Sequence, residues 1–235
     1  MPILKTRLLD RKPLAENTVE FILGKPAGFN FIAGQNINIK LTELFYEDKK
    51  GPRRTFTIAS SPQENELIIA TRMTGSGFKK TFAEIPLGSE IEFVGPNGKF
   101  YLDDDATDIV FIAGGIGITP FRSMILDAAA SKKSVPMVLL YSNANLERAA
   151  YHNLFSRLDE SLSDLTYIPT LTHSENRSGE TARIDLEFLK RNVTDIENKD
   201  YYLCGPPGMV NGIKEMLLQQ NIPAARVRFE AFWGY

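Results

Sequence analysis

A buried strand that runs straight into glycines is the first feature of this chain that could do chemistry. In "IVFIAGGIGITPFRSM", residues 109–124, the apolar run ends on Gly114, Gly115 and Gly117, and a helical pattern begins at Thr119 and Pro120. The glycines remove side chains where a ligand could approach the backbone. Proline suits the first helical turn, where its missing N–H costs nothing. Free N–H groups and the helix dipole then favour an anion. Gly115, Gly117 and position 120 have the spacing of the dinucleotide fingerprint, but Pro120 replaces its third glycine, so this turn is of another kind. It does not say by itself which nucleotide binds, and a tight strand-to-helix turn without a ligand is the alternative.

Three further stretches carry reactive groups. In "RRTFTIASSP", residues 53–62, the period of a strand puts Arg54, Phe56 and Ile58 on one face. An arginine two residues from an aromatic can hold a phosphate in its fork while the ring stacks on the same ligand, with the Thr57 hydroxyl at the ring's edge. A surface arginine beside a core phenylalanine is the plainer reading. The lone cysteine, Cys204, ends the apolar run "DYYLCG", at the carboxyl end of a parallel strand, where ligands of open α/β sheets bind. An inert buried thiol is the alternative. After "VLLYS", the segment "NANLERAA" offers Glu147, suited to the ribose diol of NADH, and Arg148, suited to the extra phosphate of NADPH. A solvated helix start with a charge pair fits it as well. Finally "DKKGPRR", residues 48–54, gathers Lys49, Lys50, Arg53 and Arg54, either as a docking patch for an acidic protein or as a solvated loop.

Two kinds of scaffold present these residues. Up to about residue 100, "TVEFILGK", "QNINIKL", "RRTFTIAS", "ELIIATRM" and "EIEFVG" are short strand-like runs separated by Gly, Pro and Asn, with one helical stretch from Phe78 to Glu84. They predict a small barrel or sandwich. Beyond "GPNGKFYLDDDATD", continuous apolar strands alternate with helical patterns, which predicts a parallel sheet covered on both faces. The acidic stretch Asp103 to Asp108 marks the boundary, dividing the chain into residues 1–104 and 105–235.

Composition removes several function classes. An apolar fraction of 43% and a charged fraction of 24% are those of an ordinary globular protein. A net charge of −2 gives no global field to recruit nucleic acid or an anionic membrane. No apolar run reaches the ~18 residues needed for membrane insertion. The opening "MPILKTRLLDRKPL" lacks the apolar block of a secretory signal, so the cytoplasm is expected. One cysteine excludes an internal disulfide and a four-cysteine iron–sulfur cluster. His152 and His173 have no partner cysteines, so no metal site is expected. No G-x-S-x-G elbow points to a serine hydrolase.

"RTFT" at 54–57, "GPNGKFYL" at 95–102, "AGGIGITP" at 113–120 and "CGPPGMV" at 204–210 follow one another in this order. Together they resemble the ferredoxin–NADP(H) reductase superfamily of flavoproteins, over nearly the whole chain. The resemblance implies an N-terminal antiparallel β-barrel that binds flavin, then an α/β domain with a doubly wound parallel sheet that binds NAD(P), without a fused iron–sulfur domain. It implies that Arg54 holds a flavin phosphate, Phe56 stacks on the isoalloxazine with Ile58 beyond it, and Thr57 hydrogen-bonds near flavin N5. The family more often has Tyr and Ser at the last two of the four positions, but the ring and the hydroxyl are kept. "ATRMTGSGFKKTF" would line the flavin with Thr71 and Arg72, then place a helix N-terminus, with Gly77, Phe78, Lys79 and Lys80, under the phosphates. Lys79 stands where many relatives have serine, and either contacts phosphate or points into solvent.

For the second nucleotide, the resemblance implies Gly114, Gly115, Gly117, Thr119 and Pro120 at the turn, Ser142, Asn143 and Arg148 toward the adenosine, and Gly205, Pro206 and Met209 around the nicotinamide. Cys204 would lie beside the nicotinamide C4. Glu230 completes the catalytic set with Thr57 and Cys204, and Phe232 would cover the flavin face, with Trp233, Gly234 and Tyr235 as a short extension. The expected activity is an FAD-dependent NAD(P)H oxidoreductase, with FMN the lesser choice of cofactor and NADPH or NADH as donor. It would pass electrons to a separate acceptor such as ferredoxin, flavodoxin or a small molecule. The alternatives are the reductase component of a multi-chain oxygenase and, from another class, a non-catalytic nucleotide-binding regulatory module.

Overall fold

The computed structural model describes residues 2–132, 134–172 and 183–233. His173, Gly234 and Tyr235 lie outside them. Six antiparallel strands come first: β1 (Leu4–Ala15), β2 (Thr18–Gly24), β3 (Asn36–Lys40), β4 (Arg53–Thr57), β5 (Glu66–Arg72) and β6 (Glu90–Asn97). They form one sheet in the order β4-β3-β6-β1-β2-β5, with helix α1 (Gly77–Glu84) between β5 and β6. The sheet bends round on itself until its two edge strands face one another, but β4 and β5 share no ladder. It is therefore barrel-like and not a closed barrel. The seam is pinned just past β4, where the Ala59 N–H donates to Ile68 O at 2.7 Å and the Ile68 N–H to Ser60 Oγ at 3.0 Å.

The inside of this sheet is filled by Leu8, Phe21, Leu23, Ile37, Ile39, Phe56, Ile69, Ile91 and Phe93, and α1 plugs one end with Phe78 and Phe82. The Phe21 and Phe82 rings stack at 4.1 Å between centroids. The longest strand, β1, has no clear pattern in the sequence. Its ladder with β2 is irregular between Leu8 and Asp10 and again between Pro13 and Ala15, and such bulges break the two-residue period.

The second half is a five-stranded parallel sheet in the order β11-β10-β7-β8-β9, formed by β7 (Ile109–Gly114), β8 (Met137–Asn143), β9 (Leu165–Leu171), β10 (Asp200–Gly205) and β11 (Val227–Ala231). Helices α2 (Thr119–Ala130), α3 (His152–Ser161), α4 (Leu186–Asn192) and α5 (Pro207–Gln219) cover it. The chain runs outward from β7 through β8 and β9, then returns to β10 and β11 on the other side. That reversal at β7 is the topological switch point, where doubly wound sheets bind ligands. Side chains alternate between the two faces: Phe111, Ala113, Tyr202 and Cys204 face one core, and Val110, Ile112, Tyr201 and Leu203 the other. The first of these cores also takes in Ala33, Ala70 and Phe100 from the antiparallel half, so apolar packing joins the two domains. Phe100 sits against Phe121 and Tyr202, at 5.9 and 6.0 Å between centroids. Among the described residues, no helix is long and apolar enough to cross a membrane.

Candidate active site

The seam between β4 and β5 opens into a cavity of about 530 Å³. Arg54, Phe56 and Thr57 form one wall and Ala70, Thr71 and Arg72 the other. Gly77 and Lys79 close one end, Ile116 and Thr119 come from the glycine-rich turn, and Glu230, Phe232 and Trp233 arrive from the segment after β10. Three of the expected cofactor residues lie elsewhere. Ile58 and Phe78 are fully buried in the antiparallel core, because a strand's inward face continues through Ile58 and the inner face of α1 carries Phe78 with Phe82. Lys80, one helical step from Lys79, is exposed and holds its Nζ 5.6 Å above the Tyr46 ring.

One end of the cavity is strongly cationic. Ser76 caps α1 by accepting the Lys79 N–H, and the Lys79 Nζ turns inward to donate to Arg72 O at 2.8 Å and Thr74 Oγ1 at 3.2 Å. Burial pushes the Lys79 ammonium down to about 8, helped by the nearby charges of Arg54 and Lys50. Arg54 donates from Nη2 to Asp48 Oδ1 at 2.5 Å and from Nη1 to Gly51 O at 3.0 Å. Asp48, a residue whose role no sequence pattern announces, also accepts the Phe78 N–H at 2.9 Å, at the start of α1. That N–H, with the Lys50 N–H and the Arg54 guanidinium, holds its carboxyl well below the usual range against the opposing effect of burial.

Glu230, Phe232 and Trp233 bring a carboxyl and two aromatic rings to the cavity. Glu230 and Cys204 are register partners on the parallel β10–β11 ladder. The Cys204 thiol is fully buried and does not line the cavity, and burial, with a smaller push from Glu230, raises its pKa far above normal. Burial also raises Glu230, whose Oε2 has no hydrogen-bond partner in the protein. Phe232 is tethered by its N–H to Gly205 O at 2.9 Å, so the last residues hang from the β10 loop.

A second cavity, about 540 Å³, lies at the switch point. Gly114, Gly115, Ser142, Asn143, Pro206 and Met209 line it as expected, joined by Gly208, Gly212 and Arg183. Gly115 takes φ +53°, a left-handed conformation natural to glycine, as the chain enters a 3₁₀ turn that leads directly into α2. Gly117, Pro120 and Gly205 stand behind the lining. A Cβ on Gly117 would lie 2.4 Å from Cys204 O, so this glycine permits the turn to pack on β10. Arg148 is not in the cavity: its Nε lies 4.0 Å from Glu16, just past β1. Arg183, which the sequence pattern does not single out, also lines this cavity, as do Thr172 and Asn143. Arg72 lines both cavities, its Nη2 only 3.1 Å from where a Cβ on Gly115 would stand. Among the described residues, no group of three or more potential ligands could hold a metal ion.

Residues 111–215 match the family model for the oxidoreductase NAD-binding domain. The whole chain superposes on the flavohem-like FAD/NAD-binding domain of nitric oxide dioxygenase from Vibrio cholerae, with a TM-score of 0.83, 19% identity and coverage of 97% and 98% of the two chains. A ferredoxin NADP+ reductase from Neisseria gonorrhoeae with bound FAD and NADP gives a TM-score of 0.79, with 24% identity and the same coverage. The chain has the two-domain fold of the ferredoxin–NADP(H) reductase superfamily. Among curated sequences, the chain is 33% identical over 191 residues to a flavohemoprotein of Candida albicans, a match covering 77% of this chain and 46% of that protein. It is 29% identical over 211 residues to the phenol hydroxylase P5 protein of Acinetobacter pittii, covering 86% and 58%. The chain thus spans about half the length of the curated relatives it matches.

Proposed function

We propose that the chain is a cytoplasmic flavin-dependent NAD(P)H oxidoreductase. FAD would lie along the β4–β5 seam, and the nicotinamide nucleotide over the glycine-rich turn. The observation that carries this reading is the adjacency of the two cavities: Arg72 lines both, and Ile116 and Thr119 of the nucleotide turn form part of the flavin cavity. Direct transfer between two rings needs such contact, because reacting atoms must approach within roughly 3–3.5 Å.

The lining suits a flavin. Arg54, Lys79 and the start of α1 offer positive charge for phosphates, and a bound phosphate would hold the buried Lys79 ammonium in its charged form. Phe56, Phe232 and Trp233 offer aromatic surface for a flat ring. The bare Glu230 Oε2 offers an acceptor for a ligand N–H or O–H. Bound flavin supplies the ability to accept a hydride and give up its two electrons singly. Thr57 would hold its hydroxyl at the reacting edge of the ring, and Glu230 would shape the nicotinamide side, with buried Cys204 packed beside it on the neighbouring strand. Phe232 and Trp233 would exclude water until the nicotinamide arrives.

The acceptor is a separate protein on this reading. Relatives named as the reductase component of propane 2-monooxygenase from Rhodococcus jostii and of phenol 2-monooxygenase from a Pseudomonas favour an oxygenase component over ferredoxin or flavodoxin. Arg183 gives NADPH a cation for its extra phosphate, a role the position of Arg148 does not suit. The test is the visible spectrum of the purified protein, followed by anaerobic addition of NADPH and then NADH. An oxidised-flavin spectrum that bleaches, faster with NADPH, is expected. A protein that takes up neither FAD nor FMN when supplied with them would sink the reading.

A further inference from the structure

We infer that Asp48 is a built-in anion that occupies the phosphate end of the flavin cavity and must be displaced when a flavin phosphate binds. The inference rests on the flavin reading above. The loop between β3 and β4 folds across the start of α1 and is held there at three points. The Phe45 N–H donates to Thr81 Oγ1 at 3.0 Å, the Tyr46 hydroxyl reaches Glu84 at 2.8 Å, and Asp48 accepts the Phe78 N–H while pairing with Arg54. The contact is close: a Cβ on Gly77 would lie 2.3 Å from Glu47 O.

The groups that Asp48 engages are those a phosphate needs. An N–H at the start of a helix and an arginine fork are both standard partners of phosphate oxygens. The Asp48 side chain is only 5% exposed, so water screens its charge poorly. A carboxylate and a phosphate cannot share these partners, because like charges in a poorly solvated site repel strongly. Either ligand satisfies Arg54, but only phosphate also reaches Lys79, which Asp48 leaves bonded to neutral oxygens. Lys79 thus biases the exchange toward flavin, and Asp48 sets how much of the binding energy that exchange consumes. Between β3 and β4 the loop belongs to no ladder, so it swings away without breaking the sheet.

The test measures flavin affinity by fluorescence on deflavinated protein, for the native chain, Asp48→Asn and Tyr46→Phe. Asparagine keeps an acceptor for the Phe78 N–H but loses the charge that holds Arg54. Its dissociation constants for FAD and FMN should fall about tenfold, the scale of one charge-assisted hydrogen bond. Riboflavin, which carries no phosphate, should bind both proteins equally. Tyr46→Phe loosens the same loop from Glu84 and should tighten FAD in the same direction by a smaller factor. Unchanged or weaker FAD binding in Asp48→Asn would overturn the inference and show that Asp48 orients Arg54 for the ligand. Equal tightening of riboflavin would overturn it too, as a purely steric effect. Both results leave the flavin reading standing. If neither protein binds any flavin, that reading and this inference fail together, whereas binding by Asp48→Asn alone supports the inference.

Discussion

Arg122 of α2 closes a two-pronged ion pair on Glu64, in the turn before β5, with N–O distances of 2.9 and 3.0 Å. The same guanidinium donates to Ala59 O at 2.7 Å, and its neighbour Ser123 donates to Ser60 O at 2.6 Å. The two domains are therefore joined by directed bonds as well as apolar packing. These bonds act on the chain that continues β4 and leads into β5, the two walls of the first cavity.

Replacing Glu64 by Gln should cost about 1.5–3 kcal/mol, the range for a hydrogen bond to a charged group, because Arg122 would stay buried without its counter-charge. At roughly 2–4 °C per kcal/mol for a chain of this size, thermal unfolding monitored by circular dichroism should shift down by about 5 °C. A change under about 1 °C would show that the pair is worth no more than a surface salt bridge.

Lys79 gives stability an unusual pH dependence. Its folded-state value, about 8, lies below the ordinary 10.5, so between these two values the unfolded chain binds more protons than the native one. Stability of the flavin-free protein should therefore rise as pH climbs from about 8 toward 10. Lys79→Met should remove that rise in a urea series, and a phosphate-bearing ligand, which holds the ammonium charged, should flatten it.

Two glycines that look alike in sequence should respond oppositely to alanine. A Cβ on Gly117 would meet Cys204 O at 2.4 Å and Gly205 N at 2.6 Å, backbone atoms with no room to yield. Gly117→Ala should separate the turn from β10, lower the melting temperature and raise the KM for the nicotinamide nucleotide tenfold or more. At Gly212, inside α5, the added methyl meets nothing. Gly212→Ala should stabilise the protein by about 1 kcal/mol in urea unfolding.

Glu230→Gln separates stability from turnover. Burial already disfavours the Glu230 carboxylate, so removing its charge leaves unfolding unchanged or slightly harder at neutral pH. If the carboxylate shapes the hydride site, the rate of flavin bleaching by NADPH in stopped flow should fall by about 10- to 100-fold. An unaltered rate would assign Glu230 to packing alone.

Much of the scaffold was legible because burial on both faces leaves a mark on sequence. "IVFIAG" and "DYYLCG" read as central parallel strands, and their structures are β7 and β10. The glycine turn was legible because Gly115 answers to a local backbone demand, a left-handed φ of +53°. What escaped depended on direction and distance. Helical period separates inward Phe78 from Lys79 and outward Lys80, a distinction that family position alone does not make. Arg148 and Arg183 are equally basic in sequence, and only the path of the chain puts one against Glu16 and the other in the nucleotide cavity. Asp48 sits in a charged loop that reads as solvated, and its partners, Arg54 and the Phe78 N–H, are brought to it by folding.

The seam between β4 and β5 has a consequence for how the protein fares when cofactor is scarce. Two strand edges facing across a gap keep unspent N–H and C=O groups, the template from which aggregation starts. A ligand lying along that gap shields both edges. On the flavin reading, the unloaded chain should then clump on standing sooner than the loaded one, which light scattering would follow.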